Sequence, residues 1–335
     1  MAIEEHFRKA VDLINKSANV LVTTHIRPDG DACGSCVAMF ELLTSLGKKA
    51  KMVFLTEVPQ WYEFLFAEQP SVLDKDLKLA QLQQANFDLI VILDTNSYSQ
   101  LNGIEKFLKQ NKKPVLVIDH HVTSDGLGDV EVIDSSAAAA ALIVFDLFKY
   151  AGWPLTKKIA YALFAAVATD TGWFQFTNTD SRTFRTCAEL IDAGADAVQA
   201  HRDLYQNFSL PRFKLMTAML DTLQLHFDGR FAAQQILQGD FKRTGARHSD
   251  TENLIDQCRV LSSVEAAALF IELEDGRIRC SLRSNGTVDV SKIAQKFGGG
   301  GHKAAAGTYL PGPIENAKQC ILSEMGQHFK RGFAK

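Results

Sequence analysis

The stretch that decides the fold is Pro114-Val115-Leu116-Val117-Ile118-Asp119-His120-His121, an apolar run that ends in one carboxylate and two imidazoles. The apolar run predicts a buried strand. The three polar side chains then lie at the carboxyl end of that strand, where open α/β sheets bind their ligands. Asp119, His120 and His121 are therefore candidates for metal-binding or catalytic residues.

Two earlier apolar runs end in side chains of the same kind. Residues 20–24 lead through a strand pattern into His25, and residues 89–93 lead directly into Asp94. The loop that follows His25 also carries Asp29 and Asp31, and a helix is expected just beyond it, over about residues 34–46. A helix begins with partial positive charge, which favours a bound phosphate at its N-terminus.

A fourth candidate is Asp170, which follows a strongly apolar helix expected over residues 156–169. Taken alone, an Asp after a strand or helix most often caps a helix, forms a turn or is solvated. The coincidence of all four segments favours a shared metal site instead. Carboxylates and imidazoles without a thiolate suit Mn²⁺, Mg²⁺ or Zn²⁺, and six such ligands fit two ions better than one.

The order of the predicted elements indicates an α/β fold. Strands alternate with helices up to residue 118, which is typical of a parallel sheet with both faces covered. Four consecutive helices are then expected over residues 137–207. Strand patterns return from residue 225. The sequence thus predicts a parallel-sheet domain with a helical second half over residues 1–208, a connector helix over 209–223, and a smaller α/β substrate-binding domain over 224–335.

Charge and composition limit the classes of substrate and partner that the protein is expected to bind. The chain has 36 basic and 39 acidic residues and a formal net charge of −3, whereas proteins that hold long nucleic acids usually carry a basic excess. Long duplex nucleic acid is therefore not expected as a partner. The six cysteines show no disulfide pattern, and no apolar run is long enough to span a membrane. We expect a cytoplasmic protein without a membrane partner.

A glycine-rich segment near the C-terminus is the second candidate site. Four glycines occupy positions 298–301, and Arg283 and Ser284 lie on a preceding predicted strand. Backbone N–H groups of such a segment can cradle a phosphate, and an arginine can bind phosphate through two parallel hydrogen bonds. The predicted substrate-binding residues are Arg283, Ser284, Gly299, Gly300, Gly301 and His302.

These motifs resemble those of a known family. The segment His25-x-x-x-Asp29-x-Asp31, Asp94, Asp119-His120-His121 and Asp170 resemble the four motifs of the DHH phosphoesterase superfamily. The glycine-rich segment with Arg283 resembles the DHH-associated C-terminal domain of that family. Within it, the chain is most similar to the bacterial nanoRNases, which also remove the 3′-phosphate of 3′-phosphoadenosine 5′-phosphate (pAp).

The resemblance implies a role for each candidate. One divalent ion, usually Mn²⁺, would be held by His25, Asp29 and Asp94, and a second by Asp31, Asp94, His120 and Asp170. His121 would face the scissile phosphate, and Asp119 would orient a histidine. The implied enzyme is a two-metal phosphoesterase acting on short oligoribonucleotides and on pAp, with pApA as a further candidate substrate and a homodimer as one open oligomeric state.

Three other functions stay open at this point. Inorganic pyrophosphatases or polyphosphatases share the metal motifs, but those of this superfamily use a basic C-terminal motif that this chain lacks. A RecJ-like exonuclease on long single-stranded DNA would need further DNA-binding domains. A nucleotide sensor without catalytic activity is disfavoured because all six expected metal ligands are present.

Overall fold

The computed structural model describes residues 2–301 and 303–331, without the side chains of residues 2, 330 and 331. The chain folds into two compact units, one ending at Asn207 and the other beginning at Phe208. In the described part of the chain, no helix is both long and apolar enough to cross a membrane.

The first unit contains a six-stranded sheet in which every pair of neighbouring strands is parallel. Its strands are β1 (Asn19–Thr24), β2 (Lys49–Phe54), β3 (Ser71–Val72), β4 (Leu89–Leu93), β5 (Val115–Asp119) and β6 (Val130–Ile133). The expected parallel α/β sheet is confirmed. Strands β3 and β6 were not expected, because two and four residues are too short to show a strand pattern in the sequence.

The described part of this unit has eight α-helices, some packed on the sheet and others on neighbouring helices. They are α1 (Ala2–Lys16), α2 (Gly30–Ser45), α3 (Leu79–Gln84), α4 (Glu105–Gln110), α5 (Ala140–Ala151), α6 (Lys157–Asp170), α7 (Ser181–Asp192) and α8 (Ala197–Tyr205). The central strand β4 is buried along its whole length, with Val91 in the core on one face and Ile90 and Ile92 in the core on the other. Burial on both faces explains why its sequence is uninterrupted by polar residues.

The order of strands in this sheet is β3-β2-β1-β4-β5-β6. The chain runs outward from β1 to β3, returns to place β4 beside β1, and then runs outward in the opposite direction. This reversal opens a crevice between the carboxyl ends of β1 and β4, the usual ligand site of such sheets. His25 follows β1, and Asp94 follows β4.

Helix α2 begins at Gly30, four residues earlier than the sequence pattern indicated, because Asp29 caps it. Asp31 therefore lies in the first helical turn and not in a loop. Gly30 and Gly34 let α2 approach α6 closely: a Cβ at Gly34 would lie 2.4 Å from the Ala162 carbonyl oxygen. The tight packing brings the first turn of α2 to the end of α6, where Asp170 lies.

The second unit contains a mixed six-stranded sheet in the order β11-β12-β10-β9-β8-β7, in which only β8 and β9 are parallel. Its strands are β7 (Gln224–His226), β8 (Phe231–Ile236), β9 (Ala266–Glu272), β10 (Arg277–Ser284), β11 (Gly300–Gly301) and β12 (Ala305–Pro311). Its helices are α9 (Leu210–Leu220), α10 (Gln238–Thr244), α11 (Val290–Gln295) and α12 (Ile314–Arg331). Leu215 and Met219 of α9 are buried in the core of this unit.

Candidate metal centre

The carboxyl ends of β1, β4 and β5 meet at one cluster of charged side chains. Asp94 lies at its centre and is only 2% exposed. His25 Nε2 lies 3.4 Å from Asp94 Oδ2, and His120 Nε2 lies 3.5 Å from Asp94 Oδ1. One carboxylate therefore stands between two imidazoles that come from different strands.

The six residues that the sequence marked as metal ligands come together in two groups. The ligand atoms of His25, Asp29 and Asp94 lie within 4.8 Å of one another, and so do those of Asp31, His120 and Asp170. Asp94 connects the groups, because its Oδ1 atom lies 3.5 Å from His120 Nε2. A third group joins Asp94, His120 and His121. The division of these residues between two ions stays a prediction.

Both imidazoles are oriented by main-chain carbonyls. His25 Nδ1 lies 2.8 Å from the Ile26 carbonyl oxygen, and His120 Nδ1 lies 3.2 Å from the Ala137 carbonyl oxygen. In each ring Nδ1–H donates to the carbonyl, which leaves Nε2 facing the carboxylates. This is how metal-binding histidines are usually held.

Two of the carboxylates are fixed by helix N-termini. Asp29 accepts hydrogen bonds from the backbone N–H groups of Asp31 and Ala32, and so caps α2. Asp31 accepts from the N–H groups of Ala140 and Ala141 at 2.5 and 3.0 Å. Helix α5 has Ala139 at its N-cap and no capping side chain there, so Asp31 supplies the missing acceptor from a distant part of the chain.

Two features of Asp94, its backbone conformation and its buried carboxylate, are typical of a functional residue. Its φ is +60°, a left-handed conformation that is unfavourable for a residue with a side chain. Its buried Oδ1 accepts no hydrogen bond of good geometry from the described residues, and His120 Nε2 lies 3.5 Å away. A buried carboxylate oxygen without a partner is costly, and a cation would remove that cost. The donor set and this orphaned oxygen both fit divalent metal ions.

The charges of the cluster are strongly coupled. Burial disfavours the charged imidazolium, but Asp94 and the other nearby carboxylates together outweigh it and raise the pKa of His25 to about 9 and that of His120 to about 10. Burial likewise opposes ionisation of Asp94, yet the two histidines together lower its pKa. Burial raises the pKa of Asp170 to about 7. Without metal, protons on the imidazoles balance the carboxylates.

The two remaining residues of the Asp119-His120-His121 motif pair with each other at the edge of the cluster, where His121 Nδ1 lies 3.8 Å from Asp94 Oδ1. Asp119 Oδ1 lies 2.7 Å from His121 Nδ1 and also accepts the His120 backbone N–H. The Asp119 side chain is fully buried, whereas that of His121 is 48% exposed. The hydrogen bond to Asp119 raises the pKa of His121. Asp119 therefore orients His121 and favours its charged form.

Two residues that contact the cluster were not predicted from the sequence. Ser35 donates to Asp31 Oδ1 at 3.2 Å, one helical turn along α2. Asn178 Nδ2 donates to the carbonyls of Asp170 and Ala138, which ties the end of α6 to the segment before α5. The contact of Ser35 follows from placing the start of α2 at Gly30. No pattern in the sequence signals the contact of Asn178.

The residues predicted to bind substrate lie in the second unit. Arg283 is on β10, and Gly300 and Gly301 form β11. Ser284 is buried, and its hydroxyl accepts the N–H groups of Gly286 and Val288, so it shapes the turn after β10. His302 lies outside the described residues. The substrate-binding roles stay predictions.

The glycine run is explained in part by close packing of the backbone. A Cβ at Gly299 would lie 2.2 Å from the Gly307 carbonyl oxygen, and one at Gly301 would lie 2.5 Å from the Ala305 carbonyl oxygen. These two glycines let the segment approach the neighbouring strand β12. Gly300 has open space where a Cβ would be.

Comparison with known proteins gives a consistent result over most of the chain. Residues 19–167 match the N-terminal domain of the DHH family, and residues 228–331 match the DHHA1 domain. The bifunctional oligoribonuclease and PAP phosphatase NrnA of Thermus thermophilus is 31% identical over 315 residues, which cover 93% of this chain and 90% of the relative. NrnA of Bacillus subtilis, named for the same two activities, is 28% identical, covering 87% and 89%.

A solved structure supports the fold. The crystal structure of an exopolyphosphatase-related protein from Bacteroides fragilis superposes with a TM-score of 0.88 at 21% sequence identity, covering 97% of each chain. A parallel α/β sheet with an Asp/His cluster at its switch point is an arrangement that suits a metal-dependent phosphoesterase. The chain belongs to the DHH family, with a DHHA1 domain after the DHH domain. The family expected from the sequence is confirmed.

Proposed function

We propose that the protein hydrolyses short oligoribonucleotides and the 3′-phosphate of nucleotide bisphosphates such as pAp, with pApA as a further substrate. The observation that supports the proposal most directly is that Asp94 connects two groups of candidate metal ligands. The relatives named for both activities support the choice of substrates. We expect the protein to act in the cytoplasm, where such short products of RNA turnover arise, and a homodimer stays an open prediction.

Two divalent ions, which we take to be Mn²⁺, would be held by the residues of the cluster. His25, Asp29 and Asp94 would hold one, and Asp31, Asp94, His120 and Asp170 the other. When bound, such ions supply charge neutralisation at the phosphate and activation of water. Helix α5 and the carbonyls of Ile26 and Ala137 keep Asp31 and the two imidazoles in place before any ion arrives.

His121 would act on the leaving group. Its Nδ1 is held by Asp119, so Nε2 is the nitrogen available to a substrate. Because the pKa of His121 is raised, its charged form is favoured, and in that form Nε2–H can stabilise or protonate the leaving oxygen. Asp119 supports this role from its fully buried position.

The second unit would bind the part of the substrate that is not cleaved. We propose that residues 1–208 form the catalytic domain, that the segment 209–223 links it to the second unit, and that residues 224–335 form the substrate-binding domain. Arg283 would bind phosphate, and the N–H groups of Gly299 to Gly301, with His302, would complete the surface.

The test compares four substrates in parallel with Mn²⁺: pAp, a 5′-labelled diribonucleotide, pyrophosphate and a long single-stranded oligonucleotide. We expect rapid hydrolysis of the first two only. The Asp94→Asn variant should lose activity on both, while Arg283→Ala should lose nucleotide turnover and keep metal binding. Pyrophosphate as much the best substrate would overturn the proposal, and processive degradation of the long strand would favour a RecJ-like role.

A further inference from the structure

One short stretch of backbone, residues 137–141, supports three of the candidate metal ligands. Its first carbonyl accepts a hydrogen bond from the His120 ring, and the N–H groups of its last two residues donate to Asp31. The Asn178 amide donates both to a carbonyl of this segment and to the carbonyl of Asp170. His120, Asp31 and Asp170 form one of the ligand groups of the cluster. One backbone segment therefore contacts every ligand of this group, directly or through one side chain.

The segment 137–141 is itself held by an arginine in the first turn of α7. Arg182 donates from Nη1 to Asp134 Oδ2 at 2.6 Å and from Nη2 to Asp146 Oδ2 at 2.7 Å. The Asp134 carbonyl accepts the N–H of Ala137, the first residue of the segment. Asp146 lies on α5, which begins inside the segment. One guanidinium group therefore fixes the backbone on both sides of the contacts with the ligands.

Both contacts of Arg182 are suited to setting a position. The Arg182 side chain is 29% exposed and that of Asp134 is 17% exposed, so their hydrogen bond is largely shielded from solvent. Hydrogen bonds between charged groups are shorter and stronger than neutral ones, and the planar guanidinium group fixes the directions of its donors. The distance between Asp134 and α5 is thus determined by a rigid group.

The ligands that lie in the loop after β1 are supported differently. His25 contacts the carbonyl of the next residue, and Asp29 caps the helix that begins beside it. These contacts are local in the chain and do not involve segment 137–141. A shift of that segment should therefore disturb the group of Asp31, His120 and Asp170 much more than the group of His25 and Asp29.

We propose that Arg182 and Asn178 are positioning residues for one ion of the centre, the ion assigned to Asp31, His120 and Asp170. The proposal rests on the proposed function for the division of the ligands between two ions. Both residues act through the backbone of segment 137–141 and leave the ion of His25 and Asp29 nearly unaffected. The two ions then respond differently when this support is removed.

The test is a titration of the full chain with Mn²⁺, followed through the electron paramagnetic resonance signal of free Mn²⁺. Arg182→Ala should weaken one of two binding steps by about 10–100-fold, the usual effect of losing a group that orients metal ligands. The other step should change by less than about threefold. Charge alone predicts the opposite sign, because removing a cation favours binding of Mn²⁺. Arg182→Lys should weaken the same step less, since lysine keeps the charge but lacks the planar fork.

The matched control is Arg185→Ala. Arg185 is exposed on the same helix and donates to Ser181 of that helix. Its removal takes away the same charge and leaves the contacts of Arg182 in place, so both binding steps should stay unchanged. Asn178→Ala removes an uncharged contact of the segment. It should weaken the same step as Arg182→Ala, and it provides the test if Arg182→Ala does not fold.

A double-mutant cycle assigns the weakened step to one ion. In the Asp170→Asn background, which lacks a ligand of the assigned ion, Arg182→Ala should not further weaken the ion that still binds. In the His25→Gln background it should weaken the remaining ion by the full factor. Equal weakening of both steps, unchanged binding, or an effect that persists in the Asp170→Asn background would overturn the proposal.

Hydrolysis of pAp separates this proposal from the proposed function. Two bound Mn²⁺ ions with the expected dependence on Arg182, but without hydrolysis of pAp or a diribonucleotide, would refute the proposed function and keep the inference. Rapid pAp hydrolysis by a chain whose Mn²⁺ binding is unaffected by Arg182→Ala and Asn178→Ala would refute the inference alone. Fewer than two ions bound by the wild-type chain would also refute the inference.

Discussion

Replacing Gly34 with alanine tests whether the packing of α2 against α6 positions the metal cluster. A Cβ at this position would lie 2.4 Å from the Ala162 carbonyl oxygen and 2.8 Å from Ala166 Cβ, whereas ordinary contacts begin at 3.4 Å. The difference, 3.4 − 2.4 Å, means that the helices must separate locally by up to 1.0 Å. The first turn of α2 carries Asp31, and the end of α6 carries Asp170, so the separation acts directly on the cluster.

The expected loss of activity is larger than the expected loss of stability. Overpacking costs about 1–3 kcal/mol, and the gain in helix propensity returns about 1 kcal/mol, so the free energy of unfolding should fall by about 0–2 kcal/mol. A displacement of about 1 Å at a catalytic site can lower the rate by about 100-fold. We therefore expect a folded Gly34→Ala protein with kcat reduced by roughly that factor and with weakened Mn²⁺ binding.

The assay combines urea unfolding with Mn²⁺-dependent hydrolysis of pAp. Gly239→Ala is the matched control, because Gly239 is also helical and a Cβ there meets no atom within 4 Å. It should leave activity unchanged and increase stability by up to about 1 kcal/mol. A Gly34→Ala enzyme with wild-type kcat and wild-type metal affinity would refute the reasoning.

Two further predictions concern the histidines. Asp119→Ala should lower kcat by about 10–100-fold. It should also shift the alkaline limb of the pH–rate profile to lower pH, because the hydrogen bond that raises the pKa of His121 is lost. An unchanged pH–rate profile would show that His121 does not act in the proposed way. In the metal-free protein the pKa values of His25 and His120 are raised to about 9 and about 10. Their contribution to stability is therefore complete below pH about 6.5 and is lost as the pH rises through about 9 to 10. Urea unfolding in the presence of a chelator should show this fall in the free energy of unfolding between about pH 9 and pH 10. A His25→Gln/His120→Gln variant should show a smaller fall. Equal pH dependence in both proteins would contradict the raised pKa values of the two histidines.

The sequence was informative wherever a strongly apolar run ended in an Asp or a His. Strands β1, β4 and β5 are buried on both faces, so their runs are continuous, and the residues that follow them could be assigned to one edge of the sheet. Parallel strand order then brings His25, Asp94 and His120 together without any further information.

Long-range contacts and short elements could not be predicted in the same way. Asp31 caps α5 across 109 positions, and neither residue of that contact has a local signal for it. Strand β12 contains Ala305, Ala306 and Gly307, whose small side chains resemble a loop in composition. The contact of Asp256 Oδ1 with Arg283 Nε at 3.7 Å is likewise a product of tertiary packing, because it joins the 3₁₀ turn Leu254–Val260 to β10.

The most direct test of the account is electron paramagnetic resonance of the protein titrated with Mn²⁺. The two groups of ligands that share Asp94 predict two ions per chain with a spin-coupled signal at saturation, and Asp94→Asn should abolish the coupling. A single uncoupled ion at saturation, or a coupled pair that survives Asp94→Asn, would contradict a two-ion centre organised by Asp94.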